Sequence, residues 1–461
     1  MDLNFYQDIY QSEVKVTLLP WRNPGDLLPC FDQMPGFILF ESNGQEPIYN
    51  HYSFIVFNPF MVFKSHNHYH TLNDIIIKEN PYSFLKKIIQ KFSFKPLPNL
   101  PPFQTGIAGF WGYESARFLG FTIETKELFQ KTPDIVLGFY DQVLAFDHHK
   151  KSVYLFTRGN KAKLQIEAIK KRFDQPIKIF DYHSKKPSIP KAFLTEKEYT
   201  EKIDKIISYL YQGQIYQTNF TFPFFVKLPE YYNAQRLYYI LKTINPAPFS
   251  AYLNFDDIKI ISSSPERFLK LDHGNVTTSP IKGTIPRHKN KNLDNKNASL
   301  LQNNPKDQSE NLMIVDLLRN DLSKVCEDHS VTVPQLFKLE TYPSIFHLVS
   351  TITGKLKEDK DAIDLFIACF PGGSITGAPK ISAMTIIDKL EHYPRGSYCG
   401  SIGYIGFDQS MDTNIAIRTI VLTKNLGSFH VGSGIVIDSN PHSEYEECLA
   451  KAKLLIEAFQ R

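Results

Sequence analysis

Hydrophobic and polar positions alternate differently in the two halves of this chain. From residue 1 to 185 the apolar residues come in short β-rich runs: FILFES, HYSFIVFN, DIVLGFYDQVLAFDH and SVYLFT. Long helical periodicities are few there. A polar stretch with two prolines, HSKKPSIPKAF, reads as a connector to the second half. Beyond it helices become clear. Thr195 and Glu198 have the spacing of a capping box, and Tyr199, Ile203, Ile206, Ile207 and Leu210 then fall on one face before Gly213. Strand-like runs follow (YQTNFTFPFFV, FSAYLNF, IKIISSS, ERFLKL, NVTTSPIKG). A helix opens at Asn304-Pro305, and another follows GGSITGAPK. Strands return in SIGYIGF, NIAIRTIVLT and SFHVGSGIVIDS, and a last helix is expected from Ser443, with Glu446 completing its capping box. Strands in bunches with interspersed helices, without regular βαβ alternation, predict an α+β fold with largely antiparallel sheets. Two regions are expected, an N-terminal β-rich one over 1–185 and a second over 190–461.

Composition narrows the function classes. The chain has 461 residues, 42% hydrophobic and 22% charged, and a formal net charge of +4. That balance leaves no electrostatic footprint for nucleic acid. The acidic, polar start MDLNFYQDIYQ is no signal peptide, and no window approaches the ~20 apolar residues of a membrane span. Five scattered cysteines without a CxxC pair suggest reduced thiols in the cytoplasm.

The candidate chemistry lies in the second half. Glu444 and Glu447 are three apart, so they share a helix face, and Lys451 can pair with Glu447. On spacing alone a solvated helix start explains them. If the helix carrying Asp307 and Glu310 met that start, the carboxylates would suit magnesium. GGSITGAPK sets glycines and hydroxyls before a helix, where free N–H groups attract an anion, and HVGSGIV is a glycine-rich break in a strand. Arg418 sits among apolar neighbours in NIAIRTIV, either paired to a ligand or on an open face. Lys282, in SPIKGTIPR, has small and apolar neighbours. Desolvation lowers a lysine's proton affinity and makes a nucleophile, whereas a snorkelling lysine would reach water.

The motifs SSSPERF, SPIKGTIPR, DQSENLMIVDLLRND, HLVST, FPGGSITGAPK, CGSIGY, IAIRT, GSGIVIDS and SEYEE, in that order, resemble the chorismate-utilising enzymes. This family includes anthranilate synthase component I, aminodeoxychorismate synthase component I, and the isochorismate and salicylate synthases. The resemblance spans 195–461 and extends more weakly into the first half through FILFES, with NPAPFSAYL matching in the same manner. It implies two intertwined subdomains with large antiparallel sheets, outer helices and an active site in the cleft. It further implies that Glu310, Glu447 and Glu444 serve a magnesium ion that holds the ring carboxylate of chorismate. Tyr404 and Arg418 would grip the enolpyruvyl carboxylate. Gly283, Thr284 and the backbone of Gly432, Ser433 and Gly434 would make other substrate contacts, and His347 would be the active-site histidine of HLVS. Gln217 stands where the water-adding members resemble one another in carrying a lysine base. Lys282 stands where the anthranilate synthases have alanine, and a lysine there resembles the aminodeoxychorismate synthases. The implied chemistry is attack by Lys282 on the ring, with Glu266 as the acid for the departing hydroxyl. Ammonia would come from a separate glutamine amidotransferase subunit. Ser42, Pro248, Phe249 and Ser250 match a tryptophan pocket of relatives, although His51 replaces a frequent arginine. Anthranilate synthase component I, or a non-catalytic relative that binds chorismate or tryptophan, are the competing readings.

Overall fold

The computed structural model describes residues 4–43, 51–126, 130, 132–160, 162–176, 186–342 and 345–461. Its strands form two twelve-stranded sheets in which neighbours pair antiparallel. In the first sheet, Lys15–Leu19, Ser152–Thr157, Gln142–Asp147, Tyr52–Val56 and Phe37–Glu41 lead directly into Phe249–Phe255. The path continues through Ile258–Ser264, Thr419–Leu422, Leu426–Ile435 and Gln217–Lys227. The second sheet joins Gly106–Trp111 and Ile135–Tyr140 to Ser401–Gly406 in the same way. Each sheet is therefore assembled from both sequence halves, giving the intertwined α+β architecture. Within the HSKKPSIPKAF connector, residues 183–185 lie outside the described residues, and Lys191–Ala192 adds a short edge strand.

The sheets are held together by what alternation turns inward. Phe54, Phe103, Phe110, Val136, Ala251, Leu253, Ile402 and Tyr404 come from both sheets and form one buried cluster. On the outer face of the first sheet, Phe220, Phe222, Phe429, Val431 and Ile435 pack against Tyr199, Ile203 and Leu210 of the helix Glu196–Tyr211 and against Cys448 and Leu455 of the C-terminal helix. Fully burying a large apolar side chain contributes roughly 1.5–3 kcal/mol, so such a layer fixes the sheet's position.

Local signals set most helix ends. Thr195 and Glu198 form the capping box, with Thr195 N donating to Glu198 Oε2 at 2.9 Å. Asn304 caps Pro305–Ser323. The last helix differs from expectation: it runs Pro441–Gln460, and Asn440 caps it by accepting from Ser443 N at 3.0 Å. An Asn-Pro pair outcompeted the serine because proline's fixed φ suits the first helical position. Arg418 also departs from its expected place inside a strand. It sits between Met411–Ile415 and Thr419–Leu422 with φ +51°, so the chain breaks there. All five cysteines are buried and unpaired. No helix among the described residues is long and apolar enough to cross a membrane.

Candidate active site

Lys282 lies on the strand Ile281–Pro286, whose register against Ile345–Lys355 slips between Ile281 and Thr284. Gly283 makes that irregularity possible. Its φ is +79°, and a Cβ there would lie 2.9 Å from Leu301 Cδ1 and 3.1 Å from Asp307 Cβ. Only glycine combines this backbone with so close an approach. The strand is thereby pressed onto the first turns of Pro305–Ser323, and Lys282 Nζ meets Glu310 Oε1 at 2.6 Å. Gln217, at the start of its strand, donates from Nε2 to the same oxygen at 2.5 Å. Gly434 faces all three groups, since its Cβ would come within 2.6 Å of Gln217 Nε2, 2.8 Å of Glu310 Oε1 and 3.4 Å of Lys282 Nζ.

Burial pushes the Glu310 carboxyl up, but the Lys282 charge and hydrogen bond outweigh it, with Lys451 and Gln217 adding to a net lowering. Asp307 shifts the other way, raised by burial first and then by Glu310, with Glu447 adding to it. The last helix reaches the same region, since Lys451 Nζ donates to Gly432 O at 2.9 Å, two residues from the Gly434 that abuts Glu310. Glu447 pairs with Lys451 at 2.7 Å, as its spacing predicts. Glu444 is buried and accepts from Ser439 Oγ at 2.7 Å. Among the described residues no three His, Cys, Asp or Glu side chains are gathered closely enough to hold a metal.

A second layer lies beside Lys282. Glu266 is buried and accepts from Ser374 Oγ at 2.7 Å. Burial raises its carboxyl to about 7, against smaller lowering effects from Ser374 and Lys282. Thr284 Oγ1 lies 2.9 Å from His347 Nδ1. Burial, then Arg418, lowers His347 to about 3, so its ring is neutral. Arg418 donates to Asn245 Oδ1 at 3.2 Å.

One expected site residue, Tyr404, lies elsewhere, and the side chain of Ser433 turns away from the site whose contacts were expected of its backbone. Tyr404 lines a different pocket, together with Ser42, Pro248, Phe249, Ser250 and His51. Its ring stacks on Phe103 with centroids 4.2 Å apart. The Ser433 hydroxyl lies 2.9 Å from Tyr199 Oη, on the core side of its strand. Strand alternation decides both placements. Sequence reasoning misses Gln217 as a partner of Glu310 and Ser374 as a partner of Glu266. The second has a visible signal, a hydroxyl inside the glycine-rich GGSITG loop, which by sequence resembles an anion site.

The family profile described as chorismate binding enzyme matches residues 35–457. The chain belongs to the chorismate binding enzymes. Aminodeoxychorismate synthase component 1 of Salmonella typhimurium is 36% identical over 452 residues, covering 96% of this chain and 97% of that protein. Anthranilate synthase component 1 of Acetivibrio thermocellus is 33% identical, covering 95% and 93%. In three dimensions, anthranilate synthase component I from Streptococcus pneumoniae aligns with TM-score 0.79 at 28% identity, over 88% of this chain and 92% of that one. The menaquinone-specific isochorismate synthase of Escherichia coli shares the fold, with TM-score 0.75 at 16% identity over 98% and 95%. In this chorismate binding enzyme, Lys282 pairs with Glu310 and its charge acts on Glu266, while Arg418 acts on His347 beside Thr284.

Proposed function

We propose that this protein is the synthase component that converts chorismate and ammonia into 4-amino-4-deoxychorismate, a precursor of 4-aminobenzoate. The observation that carries the reading is Lys282, 12% exposed, paired with Glu310 and close enough for its charge to act on Glu266. Lys282 first passes its extra proton to the Glu310 carboxylate it is paired with at 2.6 Å; as the free amine it then forms a C–N bond to the ring while the C–O bond of the ring hydroxyl breaks. Glu266, held protonated up to about pH 7, gives its proton to that hydroxyl, which leaves as water. Ammonia then bonds at the vacated carbon and Lys282 departs with its electron pair. One hard displacement becomes two easier ones. Arg418 would hold a carboxylate of the substrate. His347, kept neutral, would hold the Thr284 side chain in place.

Glu310 and Glu447 are the carboxylates that would hold magnesium, and it would take them over from Lys282 and Lys451, with which they are paired here. When bound it would supply positive charge for the ring carboxylate. Glu444, engaged with Ser439, would support rather than ligate. Ammonia is proposed to come from a glutamine amidotransferase subunit, consistent with the component 1 name of the Salmonella relative. The pocket of Ser42, Pro248, Phe249 and Ser250 is read as a tryptophan site, with the Phe249 and Tyr404 rings forming its aromatic walls.

The test is intact mass spectrometry with chorismate and no ammonia. A chorismate adduct, less water, mapped to Lys282 and absent from Lys282→Ala is expected. Fluorescent anthranilate as the wild-type product with ammonium chloride would transfer the protein to the second reading, which the Acetivibrio relative's name favours.

A further inference from the structure

By sequence the GGSITGAPK loop resembles an anion site, and the fold supplies an anion for it from the chain itself. Ser374 sits in the turn Gly373–Ile375, 9% exposed, and donates from Oγ to Glu266 Oε1 at 2.7 Å. Burial is the largest influence on the Glu266 carboxyl and raises it. Ser374, then Lys282, then the backbone N–H of Ile281 oppose burial and favour the charged form. Ile281 immediately precedes Lys282, so the acid is tied to the strand that carries the amine. Among the described residues, the titratable groups that face this carboxyl are Lys282 and Cys399. Burial raises the Cys399 thiol to about 12, so it stays neutral.

The loop is fixed at several points. Lys380 Nζ donates to the buried Asp321 Oδ2 at 2.6 Å and to Cys369 O at 2.9 Å. Arg395 Nη1 donates to Ile375 O at 2.8 Å, and Asn219 N donates to Thr376 O at 2.7 Å. Gly373 lets the turn press onto the helix Pro305–Ser323, since a Cβ there would lie 2.7 Å from Leu317 Cδ2. A hydroxyl on so constrained a turn keeps one position. A donor aimed in advance at the place where charge develops needs no reorganisation when the charge appears.

Proton transfer from Glu266 to the departing ring hydroxyl leaves a carboxylate inside the protein, where an uncompensated charge is costly. With Ser374 donating to Oε1, the acidic proton resides on Oε2. Once it has gone to the hydroxyl, which leaves as water, the Ser374 O–H and the Ile281 N–H already serve the new charge. We propose that Ser374 is the positioning residue of the acid, its hydroxyl fixing the Glu266 carboxyl and stabilising the carboxylate that forms as the ring hydroxyl departs. The proposal rests on the aminating function above, and Ser374 acts through Glu266.

The test is the pH dependence of kcat, with chorismate and saturating free ammonia from ammonium chloride, for wild type, Ser374→Ala, Ser374→Cys and Ser374→Thr. Alanine removes the donor, cysteine keeps the volume with a weak donor, and threonine keeps the hydroxyl. The wild-type alkaline limb is expected near pH 7, where Glu266 loses its proton. Without a donor to the carboxylate, Glu266 holds its proton to higher pH. In Ser374→Ala that limb should move up by about one pH unit, and kcat below it should fall about tenfold, the loss of one hydrogen bond to a charged group. Ser374→Cys should shift the limb the same way by less, and Ser374→Thr should restore the wild-type limb. The chorismate KM should stay within about twofold of wild type, as expected of an interaction made only in the transition state. A limb that stays in place in both Ser374→Ala and Ser374→Cys, or that moves equally in Ser374→Thr, overturns the proposal. Thermal melts establish that each variant is folded, and Ser374→Cys carries the test if the alanine variant is not. A wild type that makes no 4-amino-4-deoxychorismate overturns the aminating function itself, an outcome that product analysis separates from an unmoved limb.

Discussion

Glu266→Gln should stabilise this protein at alkaline pH and cripple it at every pH. Glu266 is 4% exposed, and burial raises its carboxyl from 4.5 to about 7. In the unfolded chain it titrates near 4.5, so between these values the folded state binds the extra proton. Stability is then fully present below about pH 4.5 and falls as pH rises through about 7. A carboxyl that titrates one pH unit higher in the folded chain than in the unfolded one costs about 1.36 kcal/mol once ionised, so ionised Glu266 costs the fold about 3 kcal/mol above pH 7. Glutamine keeps the shape, stays neutral and can still accept from Ser374. Urea unfolding from about pH 5 to 8.5 should show the two proteins alike at the acid end and the variant more stable by up to about 3 kcal/mol at the alkaline end. The difference between them is the diagnostic quantity, because Glu114 is also raised to about 7 by burial and bends the wild-type curve the same way. In turnover, loss of the acid should lower kcat by about 10²–10⁴. A stability difference that is flat with pH, or that grows toward acid, would refute the argument that Glu266 is held protonated.

Gly434→Ala should reduce turnover at least tenfold with little loss of stability, because the new methyl displaces the flexible ends of Gln217, Glu310 and Lys282 rather than backbone; kinetics alongside a thermal melt checks this. Arg395→Leu should destabilise by about 3–5 kcal/mol in urea unfolding, since it leaves Glu391 buried without its counter-charge, and Arg395→Leu with Glu391→Leu should recover part of the loss.

Much of this molecule was legible in one dimension. The Thr195–Glu198 box, the Asn304-Pro305 cap and the Glu447–Lys451 pair depend on residues at most four apart, so chain chemistry alone decides them. The α+β class was legible because strand-length runs came in bunches. The ordered motifs pointed to the family the chain belongs to. Tertiary structure decided what side-chain direction controls. Lys282 and Glu310 are 28 positions apart and Gln217 and Glu310 are 93 apart, and they meet only because Gly283 lets a bulged strand sink onto a helix start. Tyr404 belongs to a matching motif, yet strand alternation turns it into another pocket. Near neighbours in the chain are bound by short-range geometry that any fold must respect, whereas contacts across tens of residues exist only once two sheets have closed on a shared core.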